Sequence, residues 1–239
     1  MIKNLQDLES QITEIYQDFY KKMNIDSSTG LMSHKGKEYQ FVTMPHIGSR
    51  YVDANIKILF IGMDMGMKET ENIQDFEERR GSVVGNGFTD LNPHIAGTYA
   101  TALYFLRGTN DSLEKVAQEL LESDKPIQTA LKQMPGLPID LLEYVALTNF
   151  YKFITAGSTK RSTASGRKMP DQCHELLVKE IKLLDPEIVI MQGTNFRNFA
   201  ITKTLQEMGK KVFIAYHPSY RGEKALAKYL GKMVPNPLA

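Results

Sequence analysis

The sequence predicts an α/β fold built on a mostly parallel sheet. Three observations predict it. The runs Ile58-Leu-Phe-Ile-Gly62, Val145-Ala-Leu-Thr-Asn149 and Val212-Phe-Ile-Ala-Tyr216 are apolar without polar alternation, as in strands buried on both faces. Segments with helical spacing of apolar residues lie between such runs. Strand and helix then alternate along the chain, which is the pattern of helices laid on a parallel sheet. With 239 residues the chain can bury roughly 70–75% of the surface its unfolded form exposes. No composition shift or repeat marks a boundary, so one domain over residues 1–239 is expected.

Each element follows from local chemistry. Leu5, Leu8, Ile12, Ile15 and Phe19 recur at helical spacing, so residues 2–22 read as an amphipathic helix. The polar, turn-rich stretch from Asn24 to Gly30 ends it. Residues 39–43 read as a short strand and 57–62 as the first strong one. Residues 67–80 are highly charged and read as an exposed helix or loop, and Arg80 to Gly87 as a flexible glycine-rich segment. Helices are expected over 96–107, from a cap at Asp111 to Glu122, and from Asp124 or Lys125-Pro126 to Gln133. Pro135-Gly-Leu-Pro138 is a break, and 143–149 a second strong strand. Residues 155–169 have the Gly, Ser, Thr, Lys and Arg content of a mobile loop. A helix over 170–184, with proline near its first turn, ends at Asp185-Pro186. A strand over 187–192, a helix capped by Thr194 and reaching Met208, a strand over 211–216 and a helix over 223–230 complete the chain.

Composition bounds the function. Hydrophobic content of 42% and charged content of 24% are those of an ordinary water-soluble protein. No apolar run approaches the ~18 residues of a membrane span, and no signal peptide is visible. A single cysteine, Cys173, excludes an internal disulfide and any site needing several thiolates, and it suits a reducing cytoplasm. The five histidines form no local zinc pattern, which leaves only a metal site assembled from distant residues, and the glycine turn at 62–66 is neither a Walker motif nor a dinucleotide fingerprint, so no metal and no cofactor are expected. Net charge is only +1, yet the C-terminal third is basic. Residues 152–182 carry seven basic groups against three acidic, including Lys152, Lys160, Arg161, Arg167 and Lys168, and residues 197–232 carry eight against two. Clustered cations of this kind are either a polyanion-binding surface or a solvated helix face.

The candidate chemistry lies where the apolar runs stop. In open α/β sheets ligands bind beyond the carboxyl ends of the strands. Gly62-Met63-Asp64-Met65-Gly66 follows the first strong strand, and its glycines permit a sharp turn and close approach to a ligand. Asp64 at its tip could activate a water or could simply cap the next helix. Asn149 ends the second, and its amide offers a donor and an acceptor side by side, matching a pyrimidine edge; a strand-end turn is the plainer reading. His217-Pro218-Ser219 ends the last strand, where an imidazole could stabilise a leaving anion or could be a core histidine before a turn.

The order of these motifs resembles the uracil-DNA glycosylase superfamily. The likeness covers residues 57–66 and 145–221, and from Leu147 onward it looks like the branch that carries an iron–sulfur cluster. The resemblance implies a three-layer fold with a four-stranded, mainly parallel central sheet between helices, elaborated by the N-terminal helix and a helical insertion over about 67–140. It implies that Asp64 activates water, that His217 stabilises the departing base, and that Asn149 hydrogen-bonds the base edge. Gly62, Met63 and Val83 fall in the base pocket, and Ser219 in the loop that pinches the backbone. Tyr220 or Arg221 is placed to fill the gap left by a flipped base. DNA is then the implied partner, with Lys152, Lys160, Arg161, Arg167, Lys168 and Arg221 as phosphate contacts.

This chain also departs from the family pattern. The cluster-bearing branch uses four cysteines; here only Cys173 matches one, and Phe153 stands where a second would be. Val83 occupies the place of the Phe that stacks on uracil, with Phe88 or Tyr99 as substitutes. The leading expectation is a monofunctional DNA glycosylase that excises uracil or another deaminated base. The alternatives are a catalytically altered member that binds nucleic acid, or a protein through the insertion, and a hydrolase of free nucleosides or nucleotides.

Overall fold

The computed structural model describes residues 4–41, 44–63, 75–86, 93–138, 140–155, 169–218 and 224–235. Its first helix, α1 (Leu5–Met23), starts where the Asn4 side chain accepts from the backbone N–H of Asp7 at 2.8 Å. It ends where Asn24 turns left-handed with φ of 52°. Leu8, Ile12, Tyr16, Phe19 and Tyr20 form its buried face. A hairpin follows, of β1 (Leu31–His34) and β2 (Lys37–Phe41). Lys35 and Gly36 both have positive φ, the two-residue turn whose twist matches paired strands. The sequence predicts only one strand here, because Lys-Gly is a weaker hairpin signal than Asn-Gly.

The main sheet has six strands in the order β3 (His46–Ile47), β5 (Val145–Asn149), β4 (Ile58–Gly62), β7 (Ile188–Gln192), β8 (Lys211–Ala215) and β9 (Val234–Pro235). The middle four are parallel, as expected. The edge strands β3 and β9 pair antiparallel and enlarge the expected four-stranded sheet. Two residues each, they are too short to carry a periodic signal. A separate three-stranded sheet joins the hairpin to β6 (Phe153–Thr155), which ends where the segment expected to be a loop begins.

The helices are α2 (Phe76–Arg80), α3 (Pro93–Leu106), α4 (Asp111–Glu122), α5 (Ile127–Gln133), α6 (Pro170–Leu184), α7 (Ala200–Glu207) and α8 (Leu226–Leu230). Three local expectations change. The cap of α4 is Asn110, whose side chain accepts from Ser112, rather than Asp111. Thr194 caps nothing; it opens a 3-10 turn to Asn198, pinned by the buried Phe196 ring, before α7 begins. Gly81–Asn86, expected to be flexible, is a π-helical turn continuing α2, and it buries Val83.

The sheet divides the core in two. Leu59, Ile61, Val189, Met191, Val212 and Ile214 face a layer formed by α1, α6, α7 and the hairpin sheet. Ile58, Phe60, Val145, Ile190 and Ala215 face α3, α4, α5 and α8. This period-two alternation, with both faces apolar, explains why the runs lack polar residues.

Candidate functional site

Parallel register sets the site. Gly62 pairs with Asn149 on one side and Gln192 on the other, and Gln192 pairs with Ala215. The carboxyl ends of β5, β4, β7 and β8 are therefore level. Adjacent strands lie about 4.8 Å apart, so β5 and β8 are separated by about 14 Å. Asn149 stands at one end of this row, and His217 lies two residues beyond the other.

Asn149 is half-buried and leans over Gly62. A Cβ on Gly62 would lie 2.4 Å from Asn149 Oδ1, so glycine is what allows the amide its place. The chain beyond Asn149 keeps following β4: Phe150 N–H donates to the Gly62 carbonyl and Tyr151 N–H to the Met63 carbonyl, each at 2.9 Å. Met63 is buried, its methyl 3.9 Å from where a Cβ on Gly193 would sit. Asn149, Gly62 and Met63 thus form one hydrogen-bonded, closely packed corner.

At the other end His217 is exposed and Pro218 is buried. Pro218 packs so closely on α3 that a Cβ at Gly97 would lie 2.8 Å from its Cβ and 3.0 Å from its carbonyl oxygen. The His94 ring, in the first turn of α3, meets the His217 ring edge-to-face at 4.5 Å between centroids. Partial burial, and then the neighbouring His217, hold the His94 imidazole below its usual pKa. The turn is anchored by polar bonds: Thr98 Oγ1 donates to the His94 carbonyl at 2.9 Å, and Gln192 Nε2 donates to Thr98 Oγ1 at 2.8 Å.

Lys152 is a correction. Instead of facing phosphate it is 4% exposed, and its Nζ lies 2.8 Å from Glu180 Oε1 and 2.5 Å from Thr148 Oγ1. Glu180 sits in the apolar stripe of α6 among Leu176, Leu177, Ile181 and Leu184, and a carboxylate there requires a buried partner. Tyr99 cannot be the stacking aromatic: it is fully buried in the α3 layer with its hydroxyl donating to the Pro138 carbonyl. Val83 is buried in the same layer. Asp64, Phe88, Lys160, Arg161, Arg167, Lys168, Ser219, Tyr220 and Arg221 lie outside the described residues.

Neither position tied to an iron–sulfur cluster suits one. Cys173 is buried and its thiol is pushed up to about 11 by burial, while Phe153 packs against Phe19 and Phe41 in an aromatic cluster. Among the described residues no group of three or more His, Cys, Asp or Glu could hold a metal, and no helix is long and apolar enough to cross a membrane.

His94, Thr98 and Gln192 join the site without standing among the residues expected from sequence. Gln192 was legible as a polar residue ending an apolar run, like Asn149. His94 was not, because nothing local says that the start of α3 meets the loop after β8. Chemically, the row offers an amide able to pair with a planar edge and an exposed imidazole beside a second one. A family model described as Uracil DNA glycosylase superfamily matches residues 49–234, from just after β3 to the first residue of β9 and well over half of the chain. No curated protein matches it.

Proposed function

This chain belongs to the uracil DNA glycosylase superfamily, and we propose that it hydrolyses the N-glycosidic bond of uracil or another deaminated base in DNA. The observation that carries the reading is the level row of strand ends, with the Asn149 amide fixed over Gly62 at one end and the exposed His217 imidazole at the other. A base set between them can be read and can leave.

In this reading the target nucleotide is extruded from the stack, at a cost of a few kcal/mol in duplex DNA. Asn149 pairs with its edge, and Gly62 and Met63 line the approach. Asp64 takes a proton from the attacking water as its oxygen bonds to C1′. The C1′–N bond breaks, its electron pair leaves with the base, and His217 hydrogen-bonds the anion as charge develops. Ser219 holds the backbone, Tyr220 or Arg221 fills the vacated stack, and Lys160, Arg161, Arg167 and Lys168 contact phosphates.

One observation favours a second reading, binding without excision: Val83 and Tyr99 are both buried in the α3 layer and supply no stacking face. One experiment separates the two. Single- and double-stranded oligonucleotides containing uracil, hypoxanthine or xanthine are incubated with excess protein and abasic sites are cleaved with alkali, with Asp64→Ala and His217→Ala as controls. Abasic product that falls by about 10²–10⁴-fold in each variant is expected. Retention of an oligonucleotide without product supports binding alone, and product that persists in both variants refutes the residue roles.

A further inference from the structure

We propose that the buried Lys152–Glu180 pair is a positioning device for Asn149, completed by Tyr16 from α1. The inference rests on the reading of Asn149 as the base-recognising residue. Its starting point is a buried charge network that the proposed chemistry does not use. Lys152 Nζ lies 2.8 and 2.9 Å from the two Glu180 oxygens, 2.5 Å from Thr148 Oγ1 and 3.4 Å from the Tyr16 hydroxyl. Thr148 Oγ1 also donates to Glu180 Oε2 at 3.0 Å, and the Tyr16 hydroxyl donates to Glu180 Oε1. Both carboxylate oxygens are thus engaged twice, and the network is polar, satisfied and shut off from water.

Its placement gives it a use. Thr148 immediately precedes Asn149 and Lys152 follows three residues later, and both are tied to one carboxylate on α6. Phe150 and Tyr151 between them are tied by their backbones to Gly62 and Met63. Asn149 is therefore held from both sides of the chain, which fixes the backbone from which its amide projects over Gly62. Apolar residues of equal volume would satisfy stability alone, since buried ion pairs are often replaceable without loss. A satisfied polar network, by contrast, accepts a single geometry. Tyr16 lies on α1, outside residues 49–234, and through this network the N-terminal helix reaches the end of β5. Burial, then the Glu180 charge, raise the Tyr16 hydroxyl well above its usual pKa, which keeps it a donor.

The test compares Tyr16→Phe and the double variant Lys152→Met/Glu180→Leu with Leu205→Ala, a truncation in α7 away from the network. Three quantities are read: melting temperature, kcat and KM on a uracil oligonucleotide, and the Asn149 side-chain amide NMR signal, assigned by its loss in Asn149→Asp. In the double variant kcat is expected to fall about 100-fold, the penalty of a misplacement near 1 Å, with KM unchanged and the Asn149 signal moved or broadened. Leu205→Ala should lower the melting temperature and leave the other readouts in place. A folded double variant with wild-type kcat and an unmoved signal overturns the inference. If the double variant does not fold, Tyr16→Phe carries the same readouts, and a wild-type kcat with an unmoved signal there overturns it equally. If the wild type cleaves nothing, the proposed function fails, and the amide signal alone decides the positioning role.

Discussion

Substituting Gly62 by alanine tests the Asn149 assignment without touching Asn149. The added Cβ would lie 2.4 Å from Asn149 Oδ1, with Asn149 Cγ at 3.6 Å and the Thr148 carbonyl oxygen at 3.7 Å. An ordinary carbon-to-oxygen contact is about 3.4 Å, so only Oδ1 must retreat, by about 1 Å. It is the far end of a side chain, and the backbone at Gly62 lies outside the positive-φ region, so alanine is sterically acceptable to the strand. Losing glycine freedom in the unfolded chain returns about 0.4–1 kcal/mol, which offsets the local repacking. Stability should therefore hardly change. Recognition should suffer, because a hydrogen bond lost from a buried partner costs about 1–3 kcal/mol, or roughly 5- to 150-fold in kcat/KM. The assay is kcat/KM on a uracil oligonucleotide beside equilibrium unfolding in urea, for Gly62→Ala, Asn149→Ala and the pair. The double variant should be no worse than Asn149→Ala, since both remove one interaction. Wild-type kcat/KM in Gly62→Ala, or fully additive losses in the pair, would refute the reasoning.

Three further outcomes are expected. His46 is fully buried with Nε2 3.0 Å from the Leu142 carbonyl oxygen, and burial above all holds its pKa at about 4. Its folded pKa lies below the unfolded value of about 6.5, so the stability tied to the neutral ring is complete above that pH. That stability is lost as pH falls towards 4, by up to about 3 kcal/mol; urea unfolding at pH 7 and pH 4.5 should show a steeper loss in the wild type than in His46→Leu. Lys152→Ala leaves Glu180 as an unpaired buried charge and should cost about 3–5 kcal/mol by chemical denaturation, most of which Lys152→Met/Glu180→Leu should recover. If Lys160, Arg161, Arg167 and Lys168 meet phosphates, replacing all four by alanine should flatten the slope of log K against log salt on duplex DNA by up to about 3.6.

The parts of this fold legible in the sequence are those set by local pattern. The four parallel strands announce themselves because both faces of the sheet are covered, which removes polar alternation from Ile58, Val145, Ile188 and Val212 onward. The strand ends of the site were legible for the same reason, since Asn149 and Gln192 interrupt apolar runs. What was hidden depends on contacts between distant segments. Lys152 belongs, by composition, to a basic stretch, and only the approach of α6 makes it the partner of Glu180. Glu180 itself was a readable anomaly, a carboxylate at helical spacing with Leu176, Leu177 and Leu184, but its partner was not nameable from sequence. His94 and Gly97 gain meaning only because α3 crosses the loop after β8.

The two ends of the candidate site are held by opposite layers of the protein. Asn149 is fixed by the α1 and α6 side through Glu180, and His217 stands against the α3 side through His94, Gly97 and Pro218. Apolar packing alone tolerates repacking, because side chains of similar volume can fill the same core in slightly different ways. Hydrogen bonds weaken steeply with angle and distance and do not. In each layer a polar bond links helix to strand end: Glu180 to Thr148 on β5, and Thr98 to Gln192 on β7. Reactive groups need placement within about 0.5 Å, tighter than hydrophobic contact provides. The burial of polar groups at these two points, where Leu or Val would pack as well, is the arrangement expected if both layers must be registered to one sheet edge and to one bound base.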